Sequence, residues 1–281
     1  MHPLRALLVL PFVAACLAAA PPSRVERRVE PLTAGSKLWV SQGDGRVDVE
    51  GWDRPEVELV AEFHDGSRGS RVDLEVRRVA EGLEIEIRRA RRHGFHLVFG
   101  RHRDPTCDLV LKVPRKLAMA VHAVDGDITV RNLEGYARAQ TVDGDIRLED
   151  ITGEAYARAV DGRILARHLR ARIKGGTVDG DVILEGVEGG VDLRTVDGAI
   201  RAQGLDGWGE GISLTTVDGD IHLTLGQAKG QIEARTRDGH LEVHAPGLQV
   251  RRLKDGRLEA EAPGRTQAIT LHTGDGDIRI D

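Results

Sequence analysis

One Asp-Gly turn motif recurs along the chain, at Asp125, Asp143, Asp161, Asp179, Asp197, Asp218, Asp238, Asp255 and Asp275. The first five copies are 18 residues apart and run from Val124-Asp125-Gly126-Asp127-Ile128 to Val196-Asp197-Gly198-Ala199-Ile200; the later steps are 21, 20, 17 and 20. Two chemistries fit such a row. Stacked carboxylates could offer oxygen ligands to Ca²⁺, a hard cation. The same pair also suits a tight turn, because Gly accepts positive φ and Asp bonds its own backbone. The second acidic position is interrupted by Arg163, Ala199, His240 and Arg257, which a dedicated metal row does not tolerate. The denser nonapeptide pattern of calcium repeats is absent. Turn chemistry is therefore the reading taken. No metal or cofactor is assigned, and a calcium-stabilised structural rod is kept as an alternative.

The second candidate is the segment 88–103, where Arg88, Arg89, Arg91, Arg92, Arg101 and Arg103 surround Phe95, Leu97, Val98 and Phe99. The chain has 40 basic and 45 acidic residues, so this is a local inversion of sign. Arginine forks suit phosphate and carboxylate. The segment is the candidate contact for an anionic envelope polymer, lipid headgroups or another envelope protein. The alternative is a solvated hairpin whose apolar residues cover the first coil. His93, His96 and His102 have no recognised metal spacing. A net charge of −5 excludes a global nucleic-acid binder. No catalytic residue is assigned: Gly-x-Ser-x-Gly, His-Glu-x-x-His and phosphate-loop patterns are missing. Cys107 reads as a small buried apolar residue. A carbohydrate-active enzyme, a polysaccharide lyase or glycosidase, is the runner-up function. It needs long loops that an 18-residue coil has no room for, and Trp208, in the one looser stretch 204–211, is its best sugar contact.

The elements that position these residues are strands. After each Asp-Gly comes an alternating stretch such as Asp145-Ile146-Arg147-Leu148-Glu149, then a turn near Thr152-Gly153, then Ala155-Tyr156-Ala157-Arg158-Ala159. Period-2 alternation between glycine turns specifies β structure. Aligned copies give inward columns, one running Ile128, Ile146, Ile164, Val182, Ile200, Ile221, Leu241, Leu258 and Ile278. They give an outward column of Arg138, Tyr156, Lys174, Asp192, Ser213 and Glu233. The expected fold is all-β, a β-solenoid of about nine two-stranded coils, roughly 40 Å long at the spacing of strands. The chain ends inside a strand, so that edge is expected to be open to a partner.

Four regions are expected: a signal peptide over 1–20, a tether over 21–35, an irregular β capping region over 36–115 and the solenoid over 116–281. The apolar run Leu7–Ala15 is short of the ~20 residues that span a bilayer. Val13-Ala14-Ala15-Cys16 resembles a bacterial lipobox, which implies cleavage at, and lipidation of, Cys16; a simple cut after Ala20 is the other reading. Attachment through lipid alone places the protein in the periplasm or on the outer membrane.

Together, Gly45-Arg46-Val47-Asp48-Val49-Glu50-Gly51-Trp52-Asp53, Val113-Pro114 and the recurring Gly-Asp-Ile coil starts resemble the bacterial "putative adhesin" family, over about residues 36–281. The resemblance implies a β-solenoid in an exported or membrane-attached protein. The family has no established catalytic or ligand residues to carry over.

Overall fold

A computed structural model describes residues 21–66, 71–89, 104–207, 210–226, 230–263 and 267–281. The signal segment with Cys16, Trp208, and Arg91, Arg92, Arg101 and Arg103 of the insert lie outside the described residues. The described chain is all-β. Its first strands are β1 (Arg24–Pro31), β2 (Lys37–Ser41), β3 (Val47–Trp52), β4 (Glu56–His64), β5 (Val72–Val79), β6 (Gly82–Arg89), β7 (Thr106–Pro114) and β8 (Lys116–His122). They lie in two layers. One has the order β5–β6–β2–β8 and the other β1–β4–β7–β3. Alternation buries Val57, Leu59, Ala61 and Phe63 of β4 against the shared core.

Two expectations are corrected here. The tether over 21–35 is largely strand: β1 pairs antiparallel with β4 from Arg24↔Phe63 to Pro31↔Glu56. Its core-side positions are charged, which keeps an edge strand from recruiting another chain. Arg24 lies 3.7 Å from Asp73, Arg78 lies 3.1 Å from Glu30, and the Arg24 guanidinium donates to the Val72 carbonyl at 2.8 Å. These contacts stitch the outer edges of the two layers across the end of the core. The capping region is also more regular than expected. The β2–β3 turn places Asp44 directly on Asp125, in register with the repeats.

The repeats begin with β9 (Ile128–Gln140), β10 (Ile146–Arg158) and β11 (Ile164–Gly176), each 13 residues long and parallel to the next at a shift of one coil. β12 (Val182–Glu188), β13 (Val191–Arg194), β14 (Ile200–Gln203), β15 (Ile212–Thr215) and β16 (Ile221–Thr224) continue both layers. The long strands turn a corner without breaking. The corner residue is left-handed in five successive coils: Asn132 (φ 57°), Asp150 (54°), His168 (50°), Gly186 (64°) and Gly204 (65°). Asn, Asp and His are the side chains that tolerate this region best. The residue after each corner points inward, so Leu133, Ile151, Leu169, Val187 and Leu205 form a third buried column. A plain turn near Thr152-Gly153 hides that column from the sequence.

The last strands are β17 (Gly230–Arg235), β18 (Leu241–Val243), β19 (Gln249–Lys254), β20 (Arg257–Ala262), β21 (Ala268–His272) and β22 (Ile278–Ile280). Spatial and chain order part company among them. β21 lies between β15 and β17, and β22 between β16 and β18, parallel to both neighbours. The last strand is therefore interior, with Ile278 and Ile280 at 0% and 1% exposure, which corrects the expected open edge. Asp255-Gly256 is a hairpin turn between antiparallel β19 and β20, with φ of 52° and 68°, and so is no coil start. Leu258 leaves the Ile128 column and instead pairs β20 with β17. The coil layers are thus the bridged series Asp44, Asp125, Asp143, Asp161, Asp179, Asp197, Asp218 and Asp275, followed by the Asp238 layer.

Candidate functional site

The repeated motif resolves into a division of labour within each turn. The threonine before it donates its hydroxyl to the glycine carbonyl of the neighbouring coil: Thr177 to Gly162 at 2.9 Å, Thr195 to Gly180 at 3.0 Å, Thr216 to Gly198 at 3.1 Å. The first aspartate carries the coil-to-coil bridge. The glycine meets the coil below so closely that a Cβ on Gly144 would sit 2.5 Å from the Gly126 carbonyl oxygen. The second aspartate accepts the backbone N–H one coil on: Asp127 from Asp145 at 2.9 Å, Asp145 from Arg163 at 3.0 Å, Asp181 from Ala199 at 2.9 Å and Asp220 from Asp277 at 2.8 Å. Arg163, Ala199 and His240, which interrupt that acidic row, still donate their backbone N–H groups to it. The row therefore works as a hydrogen-bond ladder. Burial alone would raise the Asp145 carboxyl, but the Arg163 N–H and guanidinium, with Arg147, hold it below the usual carboxylate range. Among the described residues, no group of three or more His, Cys, Asp or Glu is arranged to hold a metal ion.

Of the six arginines singled out in the insert, Arg88 and Arg89 are described. Both are already engaged with carboxylates. Arg88 lies 3.2 Å from Glu75 and 2.7 Å from Glu86, and Arg89 lies 3.3 Å from Asp44 and 3.4 Å from Asp104. Cys107 is fully buried in β7, where burial pushes its thiol up to about 12.

Two open depressions flank the amino-terminal layers. One, of about 440 Å³, is lined by Trp52, Asp53, Arg54, Arg115, Lys116 and Glu134. Its cations are paired: Arg115 to Asp53 at 3.3 Å and Lys116 to Glu134 at 3.5 Å. The other, of about 410 Å³, lies on the opposite layer between Trp39, Ser41, Val79, Glu84 and His122. From it a column runs along the solenoid in strict register, Trp39–Ala120–Arg138–Tyr156–Lys174. Arg138, Tyr156 and Lys174 are legible as outward residues from the repeat alone. Trp39 is not, because nothing in the periodicity shows that β2 lies parallel on β8. Burial, then the charge of Arg138, holds the neighbouring His122 below the usual histidine range.

The family described as Toastrack DUF4097 matches residues 171–281. The Toastrack match begins within β11, yet β9, β10 and the β2–β3 layer stack on it in the same register, so the solenoid extends upstream of the matched stretch. No curated protein matches the chain. Among solved structures, a "putative cell adhesion protein" from Clostridium sporogenes is similar at 8% identity and a TM-score of 0.29, covering 92% of this chain and 99% of its own. A "putative adhesin" from Bacteroides fragilis is similar at 10% identity and a TM-score of 0.36, covering 93% and 99%. A "putative lipid binding protein" from Parabacteroides distasonis is similar at 11% identity and a TM-score of 0.42, covering 92% and 97%.

Proposed function

We propose that this chain is an exported, lipid-anchored and non-enzymatic binding or scaffolding module of the bacterial cell envelope, adhesin-like in using a rigid solenoid face as its working surface. The observation that carries the reading is the unbroken register from β2 to β11, which sets outward side chains in columns with no loop among the described residues rising between them. A polysaccharide lyase or glycosidase on such a rod needs a groove lined by paired carboxylates, or by a basic residue beside a metal. Here the second carboxylate of the turn is spent on a backbone N–H group at Asp127, Asp145, Asp181 and Asp220. Val13-Ala14-Ala15-Cys16 supports lipid attachment in the periplasm or on the outer membrane. The insert offers a further anionic contact through Arg91, Arg92, Arg101 and Arg103, with Arg88 and Arg89 tied into ion pairs.

The test is retention on fractionated envelope (lipopolysaccharide, peptidoglycan and soluble envelope proteins) across a salt series, beside a variant with Arg88, Arg89, Arg91 and Arg92 changed to Ser. Retention on one fraction is expected, falling with salt because exposed charge pairs are screened. Retention on none would overturn the reading.

A further inference from the structure

Aromatic residues are only 3% of this chain, and they are not spread evenly. Both tyrosines and Trp39 lie on one outer face of the solenoid, the face of β2, β8, β9, β10 and β11. The central column is Trp39–Ala120–Arg138–Tyr156–Lys174, with Lys37–Ala118–Tyr136–Glu154–Arg172 on one side and Ser41–His122–Gln140–Arg158–Gly176 on the other. These fifteen positions hold five Lys or Arg and a single carboxylate, Glu154, in a chain whose net charge is −5; Lys37 and Arg172 are paired with Glu81 and Glu210 beyond them, which leaves Arg138, Arg158 and Lys174.

Three cations at the middle of this face, Arg138, Arg158 and Lys174, have no carboxylate partner among the described residues. The Arg138 guanidinium carbon lies over the Tyr156 ring, 4.9 Å from its centre, and its Nε donates to Gln140 Oε1 at 3.0 Å. Those two contacts hold the group, and neither uses its two terminal nitrogens. Arg158 and Lys174 are exposed and make no ion pair among the described residues. By contrast, Arg147, Arg163 and Arg201 on the other layer, and Arg115 and Lys116 in the Trp52 depression, all face carboxylates within 4 Å. A guanidinium held in advance by a ring and an amide loses little freedom on binding an oxyanion, and its fork matches carboxylate, sulfate or phosphate.

The column runs along the solenoid axis over five layers, about 20 Å at the spacing of strands, with Arg138 and Lys174 about 10 Å apart. An extended ligand with recurring negative charge fits that geometry. The half-buried indole and phenol rings add flat, amphipathic surface suited to the apolar face of a sugar. The Trp39 depression at one end, about 410 Å³, falls in the range of small-ligand sites and can seat one ring.

We infer that the Trp39–Arg138–Tyr156–Lys174 face binds an anionic polysaccharide laid along the solenoid, with Arg138, Arg158 and Lys174 pairing its oxyanions and Trp39 stacking on a sugar. This rests on the reading of the chain as a binding module and names the ligand class and the face.

The experiment uses the full chain and four probes: polygalacturonate, heparin, neutral dextran, and phosphatidylglycerol vesicles. Three proteins are compared: wild type, Arg138→Gln/Arg158→Gln/Lys174→Gln, and a charge-matched control, Arg27→Gln/Arg131→Gln/Arg252→Gln. Melting curves establish that all three fold. Wild type is expected to bind polygalacturonate or heparin but not dextran. The face variant should bind at least about tenfold more weakly, with a shallower salt dependence, and the control within about twofold of wild type. Trp39→Ala should weaken glycan binding without changing its salt dependence.

Equal losses in the face variant and the control would overturn the inference, since charge alone would then explain binding. Binding to vesicles but to neither glycan would overturn it in favour of a lipid surface. Retention on whole envelope that the face variant keeps in full would overturn this site and leave the binding-module reading standing. Retention on no envelope fraction would remove both.

Discussion

Asp275 lies directly on Asp218, although Asp238 is the next copy of the turn along the chain. The chain leaves the stack after β16, builds a farther layer with β17 and β18, and returns to fill the gap it left. Leu271 belongs to this intercalated layer, is fully buried, and its strand hydrogen-bonds to both β15 and β17. Leu271→Ala is expected to cost about 2–5 kcal/mol in denaturant unfolding, the usual range for a buried leucine. Hydrogen exchange should show protection falling in β15 and β17 together. Ile232→Ala, one layer farther out, should spare β15. Loss in β17 alone from Leu271→Ala would contradict the stacking order.

The aspartate ladder makes stability depend on pH. Burial opposes ionisation of Asp145 and Asp181, but the N–H groups of Arg163 and Ala199 and the nearby arginines outweigh it, so both carboxyls titrate below their ordinary range. The unfolded chain therefore takes up protons first as acid is added. The stability from these groups is present at neutral pH and is lost as pH falls through about 4 toward the lower folded values. Denaturation midpoints should drop over that window. Asp145→Asn/Asp181→Asn should flatten the drop, and an unchanged slope would place its origin elsewhere.

Gly162 sits at φ 144°, and a Cβ there would lie 2.6 Å from the carbonyl carbon of Gly144. Gly162→Ala must either push two coils apart or strain the turn. The expected loss is about 1–3 kcal/mol, read as a lower midpoint in urea. A neutral substitution would mean the stack yields more readily than its contacts imply.

Cys107 provides a probe of the amino-terminal layers. With its thiol pushed up to about 12 by burial, it stays protonated at pH 8 and is shielded on both sides. A thiol reagent should modify it only as fast as β3, β7 and β4 open, with the label mapped to Cys107 by mass spectrometry and the rate rising with urea. Rapid modification without denaturant would show that this part of the core opens on its own.

Much of the solenoid was legible because its signal is local. Thr177, Val178, Asp179 and Gly180 each do something within one coil of themselves, and an 18-residue repeat announces that directly. The outward Arg138–Tyr156–Lys174 series came from the same periodicity. What stayed hidden depends on pairings between distant segments. Trp39 joins that series only because β2 lies on β8, far along the chain. Asp44 starts the ladder, and Asp255 drops out of it, for reasons of pairing that the dipeptide cannot express. The corner column escaped for another reason: Asn132, Asp150, His168, Gly186 and Gly204 share a backbone conformation, not a residue type.

The intercalated layer also sets how this rod bears load. A stack built in chain order peels from its last coil, one interface at a time, when that end is pulled. Here tension applied at Asp281 acts on strands gripped from both sides, and the layers above and below must let go together. The far end of the stack is thus closed by its own order of stacking, with β22 held by β16 on one side and by β18 on the other.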